Sequence, residues 1–250
     1  MIETIRNSDF DNEKLFHIFI PKNSKLENFD FSKVVVKKPW GYEYLLYEDN
    51  KTSVWTLHLN RNSLTSMHCH IYKKTALIVL AGEVVCATLN KGLKLKEGDA
   101  VILDKKVFHS TQAITNDGAI ILEVETPSLK ADVVRLADSY GRESLGYETP
   151  DEMNYDIRNC EYQFFKNDEM NIIKRVGNMN VSLEKLKEES KIENGEERLI
   201  IILEGEIKNV KNKESHIVGD IVKIDKTTDF IAKKDLKLMK FFKIDDIAKY

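Results

Sequence analysis

His68, Cys69 and His70 sit in a run with the texture of a β-strand, where residues two apart project from one face. Two imidazoles are thereby presented together, while Cys69 points away. His109, just past the turn Glu97-Gly98-Asp99, offers a third imidazole from a later strand. Three neutral ring nitrogens around an open position suit zinc or another divalent transition metal, which can polarise a substrate oxygen as a Lewis acid. The plainer alternative is three unrelated structural histidines. The strand and turn signals bracketing all three residues favour the metal reading.

Glu123 and Glu125 share one face of the run over residues 119–125, and both are candidates for the base or for a further ligand. Alternation leaves two placements open, facing inward or standing at the rim. An anionic substrate would call for Arg or Lys at the mouth of such a site, and Lys73, Lys74 and Arg135 are the candidates. The alternative for the two lysines is a solvated loop; for Arg135 it is an ion pair with Asp132 or Asp138. Trp40, Trp55 and Tyr140 are open to two readings, stacking on a substrate ring or packing.

The elements that must position these groups are short. From residue 34 onward, β-rich runs at 42–47, 53–59, 76–81, 83–89, 100–103 and 119–125 are cut by the turns Asn90-Lys91-Gly92, Glu97-Gly98-Asp99 and Asn116-Asp117-Gly118. This spacing predicts an all-β antiparallel sandwich or barrel with a few short helices. Residues 1–33 read as an arm packing on the main body, and residues 131–138 as a short helix ending near Gly141.

The β texture then repeats. Residues 201–207 parallel residues 78–84 around Gly205 and Gly82, and residues 219–226 parallel residues 98–105. Two copies of one β fold follow. Counting along the second block sets Phe230 against His109, no H-x-H precedes Gly205, and His216 falls in a turn. The second copy therefore lacks the imidazoles and is expected to pack against, pair with or shape the first.

Bulk properties narrow the partners. The 250 residues are 42% hydrophobic and 32% charged, and a net charge of -3 supplies no basic field for nucleic acid. No apolar run approaches the ~18 residues of a membrane span, and no secretory pattern opens the chain, so a cytoplasmic location is expected. Cys69, Cys86 and Cys160 are odd in number and irregularly spaced, which points to free thiols. Sheet edges left by two barrels predict a homodimer.

These residues resemble the cupin superfamily. His68, His70 and Gly82 match its first motif, and Gly98 and His109 its second. The resemblance covers residues 37–126 well and 175–243 in degenerate form. It implies tandem jelly-roll barrels (double-stranded β-helices): a metal-binding domain over residues 34–150, with a metal near its centre, and a second domain over 151–250 without metal ligands. Thr75 stands where the motif has Glu, and Asp104 and Lys106 stand where Pro and Gly are usual. A three-His set is similar to that of thiol dioxygenases, whereas three His and one Glu occur with Mn, Fe, Ni or Zn. The flanks, residues 38–43 and 132–142, are similar to those framing the cupin domain of bacterial mannose-6-phosphate isomerases. What this implies is an isomerase or epimerase acting on a sugar phosphate or nucleotide sugar in surface-polysaccharide synthesis. The alternatives are an iron dioxygenase-type cupin and a non-enzymatic sugar-binding one. Residues 71–75 depart from the isomerase pattern, which has Arg and Glu there.

Overall fold

The computed structural model describes residues 1–18, 29–143, 145–149, 153, 160–193 and 198–243. In the front half, β1 (Ile2–Ile5) and α1 (Asp9–Phe16) precede β2 (Val35–Lys38), β3 (Gly41–Glu48), β4 (Ser53–Leu59), β5 (Met67–Cys69), β6 (Lys74–Ala81), β7 (Glu83–Thr88), β8 (Gly92–Lys96), β9 (Ala100–Leu103), β10 (His109–Ala113), β11 (Ala119–Thr126) and β12 (Val134–Ala137). The rear half holds β13 (Lys174–Val176), β14 (Met179–Leu186), β15 (Lys191–Ile192), β16 (Arg198–Glu204), β17 (Glu206–Asn209), β18 (Ser215–Ile217), β19 (Ile221–Ile224), β20 (Phe230–Ala232) and β21 (Leu236–Lys243).

Four sheets result. The front pair has the orders β1-β9-β6-β11-β4-β3-β2 and β12-β5-β10-β7-β8; the rear pair has β13-β14-β21-β16-β19 and β15-β20-β17-β18. Among the described residues, every pairing between these strands is antiparallel except that β1 joins β9 in parallel, so residues 2–5 are built into the sheet. No helix among the described residues is long and apolar enough to cross a membrane.

The stacking explains the unbroken apolar runs. Leu77 and Val79 face the front interior, whereas Ile78 and Leu80 pack on Leu199, Ile201 and Leu203 of the rear half. Ile200 and Ile202 face the rear interior in turn. The two central sheets are buried on both faces, so the alternation of a half-exposed strand disappears. Four layers stand in series, joined by a shared apolar core.

Corresponding turns in the two halves need glycine. Gly82 has φ +76° and a Cβ there would lie 2.6 Å from the Gly118 carbonyl oxygen; Gly205 has φ +89° and its Cβ would lie 2.5 Å from the Asp235 carbonyl oxygen.

Two expectations are corrected. Residues 134–137 form β12 on the edge beside β5, with Val134 against Cys69, instead of a helix. The β-branched Val133 and Val134 suit the edge, and tertiary pairing overrides helix propensity. Second, the ladders displace the counterpart of His109. Ala113 pairs with Val84 in front as Ala232 pairs with Ile207 behind, which equates Phe230 with Thr111 and places Thr228 at the position of His109. Ungapped counting slips because fifteen positions separate Gly98 from Ala113 but thirteen separate Gly219 from Ala232. By the same logic Lys240 occupies the place of Glu123, since Ile201 faces Met239 as Ile78 faces Leu122.

Ile201 is fully buried between the central sheets. Ile201→Ala should lower unfolding free energy by about 2–5 kcal/mol. Because the core is shared, urea denaturation should show one transition moved as a whole; two transitions with only one displaced would show that the halves unfold separately.

Candidate metal centre

β11 carries Ile121 on its front-facing side and Leu122 and Val124 on the side toward the rear half. Alternation then turns Glu123 and Glu125 into the front interior, at 7% and 0% exposure, which decides between the inward and rim placements. Across from them, His68 on β5 is the register partner of His109 on β10, and His70 lies just past the end of β5. Donor atoms of His68, His70, His109 and Glu123 all lie within 4.8 Å of one another. Cys69 is fully buried on the opposite side, against Phe108 and Val134.

The imidazoles are oriented for ligation. His68 Nδ1 lies 2.8 Å from the Ser66 carbonyl oxygen, His109 Nδ1 lies 3.0 Å from that of Val107, and His70 Nδ1 meets that of Asp132. A carbonyl oxygen only accepts, so each Nδ1 carries the proton and each Nε2 offers its lone pair. His70 Nε2 is buried without a hydrogen-bond partner, 3.5 Å from Glu123 Oε1. Such an orphaned atom beside a carboxylate fits an intervening cation.

Protonation states agree. Burial, reinforced by the neighbouring imidazoles, holds His68 well below its usual range and His109 down to about 4. Burial alone would raise Glu123, yet Lys130, His70 and Lys73 hold its carboxyl well below the ordinary value. Neutral nitrogens and an ionised carboxylate are the forms a divalent transition metal binds.

Beside this cluster lies a small cavity of about 60 Å³, whose walls contain Lys38, Trp40, Glu43, Glu125, Arg135 and Tyr147. Lys130 Nζ sits 3.2 Å from Glu43, 3.4 Å from Glu123 and 3.5 Å from Glu125, and 3.8 Å above the Trp55 ring. Burial would lower the Lys130 pKa, but the three carboxylates raise it. Lys73 Nζ lies 2.8 Å from Glu125, whose other oxygen accepts from Ser53 at 3.0 Å. Lys38 pairs with Glu43 and Glu148, and the Tyr147 hydroxyl donates to Glu43.

The proposed anion-binding residues are placed differently. Lys73 is 1% exposed and lines the cavity, so it is not in a solvated loop. Lys74 is turned the other way by strand alternation and pairs with Asp220 of the rear half at 2.7 Å; it does not reach the cavity. Arg135 lines the cavity but pairs with neither Asp132 nor Asp138: its Nη1 donates to the Leu145 and Gly146 carbonyls, both at 2.6 Å. Asp138 instead holds Arg142. Trp55 is core beneath Lys130, Trp40 lines the cavity, and Tyr140 is exposed.

Sequence reasoning missed Lys130, Glu43 and Lys38 as members of the site. Glu43 carried a faint signal, a charge between Tyr42 and Tyr44 in a strand; Lys130 sits in a loop, where no periodicity flags burial.

No protein-family model matches the chain, and no curated protein matches it. Among solved structures, it is similar to an oxalate decarboxylase variant of Bacillus subtilis, at 13% identity over 86% of this chain and 76% of that one, with a TM-score of 0.42. KdgF from Halomonas sp. matches at 14% identity over 37% of this chain and 84% of that one, with a TM-score of 0.35. A sugar phosphate isomerase from a cupin superfamily, from Silicibacter pomeroyi, matches at 18% identity over 31% of this chain and 52% of that one, with a TM-score of 0.30.

The depressed His109 pKa has a consequence for the metal-free protein. An unfolded chain takes up that proton near pH 6.5, whereas the folded site resists it to about 4. The contribution of His109 to stability is fully present above pH 6.5, falls as pH drops below that value and is gone once pH has passed through about 4. Urea midpoints should therefore decline between pH 7 and pH 4.5, and less steeply in His109→Asn; equal slopes would show that His109 is not held neutral.

Proposed function

We propose that this chain is a metal-dependent cupin that binds one divalent transition metal through His68, His70, His109 and Glu123. Its substrate in this reading is a phosphorylated or nucleotide-linked sugar, and its reaction is of the isomerase or epimerase type. The observation that carries the metal reading is the convergence of three Nδ1-tethered imidazoles and one ionised carboxylate within ligating reach of one another. The sugar substrate rests on the sequence resemblance of the flanks.

A bound divalent metal would supply Lewis-acid polarisation of a carbonyl or hydroxyl pair, making an adjacent C–H more acidic. The remaining work falls to the chain. Arg135, held by two backbone carbonyls and not by a carboxylate, gives the cavity wall a positive charge suited to an anionic substituent, while Lys73 is committed to Glu125. With Glu123 assigned to the metal, Glu125 is the carboxylate we assign to carry the proton; Lys73, Lys130 and Ser53 hold it in place. The Trp40 indole forms part of the wall.

Oxygen chemistry at a three-His iron site is the second reading, and it draws on the Thr75 departure. Glu123 weighs against it, because a carboxylate from the neighbouring strand completes a four-ligand set.

Elemental analysis of protein purified without an affinity metal should find about one equivalent of a divalent metal, absent from His70→Ala. On a panel of aldose and ketose phosphates and nucleotide sugars, Glu125→Gln should retain the metal and lose about 10²–10⁴-fold in kcat. Retained metal in His70→Ala would overturn the ligand set. A loaded protein inert toward every sugar but consuming oxygen with thiols would overturn the isomerase reading in favour of the second, and one inert in both assays would leave a sugar-binding module.

A further inference from the structure

The four ligands come from two layers. His68 and His109 lie in the five-stranded front sheet with His70 just past the end of β5, and Glu123 lies in the seven-stranded sheet facing it. Such a site needs something to hold the layers in register at the metal, and one segment touches a ligand from each. It is the connection over residues 127–133 between β11 and β12.

Asp132 acts on the His70 side. Its Oδ1 accepts the Ile71 N–H at 3.0 Å, and its Oδ2 accepts those of Tyr72 at 2.8 Å and Lys73 at 3.0 Å. One carboxylate thus gathers the three amides that follow His70, while the backbone carbonyl of the same residue receives the His70 Nδ1 proton. The turn after the ligand and the ligand's ring plane are set from a single residue. Amide donors to an ionised acceptor make stronger hydrogen bonds than neutral pairs.

Lys130 acts on the Glu123 side. Its ammonium lies 3.4 Å from Glu123 Oε2, while the other oxygen, Oε1, is the one 3.5 Å from His70 Nε2. Lys130 therefore engages one oxygen and leaves the other for the cation, which favours one-oxygen ligation. Glu43 and Glu125 fix the ammonium in turn, at 3.2 Å and 3.5 Å.

We infer that residues 127–133 form a clamp in which Asp132 and Lys130 are positioning residues: Asp132 sets the His70 ring and Lys130 sets the Glu123 carboxylate, so that affinity and coordination geometry are tuned by a loop that contributes no ligand. This inference rests on the metal reading above and is independent of the substrate. Partners of ligands typically change metal affinity by about 10–100-fold when removed.

The test uses the full-length chain stripped of metal, with Zn²⁺ affinity measured by chelator competition and the coordination sphere read from the visible bands of added Co²⁺. Wild-type protein that binds neither ion sinks the metal reading itself. Given wild-type binding, Asp132→Asn and Lys130→Met should each weaken Zn²⁺ by about 10–100-fold and shift the Co²⁺ bands, and Lys130→Arg should restore both. A band shift separates positioning from a merely structural role, which would lower the melting temperature and leave the spectrum alone. Should Asp132→Asn fail to fold, the Lys130→Met and Lys130→Arg pair decides. Wild-type affinity and unshifted bands in the folded variants overturn the clamp.

Discussion

A carboxylate buried between two sheets is the interaction on which the front half depends. Glu123 is 7% exposed in an interior that also takes in Glu43 and Glu125, and an isolated ionised group there would cost far more than the fold can supply. It is tolerated because Lys130 touches all three carboxylates and the Trp55 ring at once, and because Lys73 and Lys38 neutralise the far ends. A fully paired set of this kind adds little net stability over an apolar core of the same shape, whereas removing one member strands the others. Its presence is better explained by chemistry than by folding.

The two halves put the same framework to different ends. Ile192, Ile200, Ile202, Ile207, Val222 and Phe230 fill the rear interior with hydrocarbon. Thr228 and Lys240 stand at the places of His109 and Glu123, and Lys240 turns to a rim pair with Glu184 at 3.2 Å. The rear half nonetheless serves the site mechanically. By covering the outer face of the seven-stranded sheet with Val181, Leu183, Leu203, Met239 and Phe241, it leaves that sheet no wet side to which Glu123 could escape.

Much of this organisation is legible in particular residues. The H-x-H alternation separates His68 and His70 from Cys69, and the repeated glycine turns at Gly82 and Gly205 announce two related halves. The four-layer stacking is written in the unbroken apolar runs 77–80 and 199–203, although an apolar run alone does not say what covers its second face. The strand at 134–137 is hidden, since its residues would suit a helix and only the edge of β5 makes them a strand.

By itself the sequence determined the local periodicities: which side chains share a face, where the chain must turn through a left-handed glycine, and that the rear half has a single imidazole, His216. Only the tertiary structure decided that Glu123 meets the histidines, that Lys73 is buried while Lys74 leaves for Asp220, and that Asp132 and Lys130 hold ligands of opposite sheets. The reason is physical. A strand's alternation is set by its own backbone, but which inward-facing groups touch depends on the register and facing of strands far apart in the chain, and those are fixed by packing across the whole core.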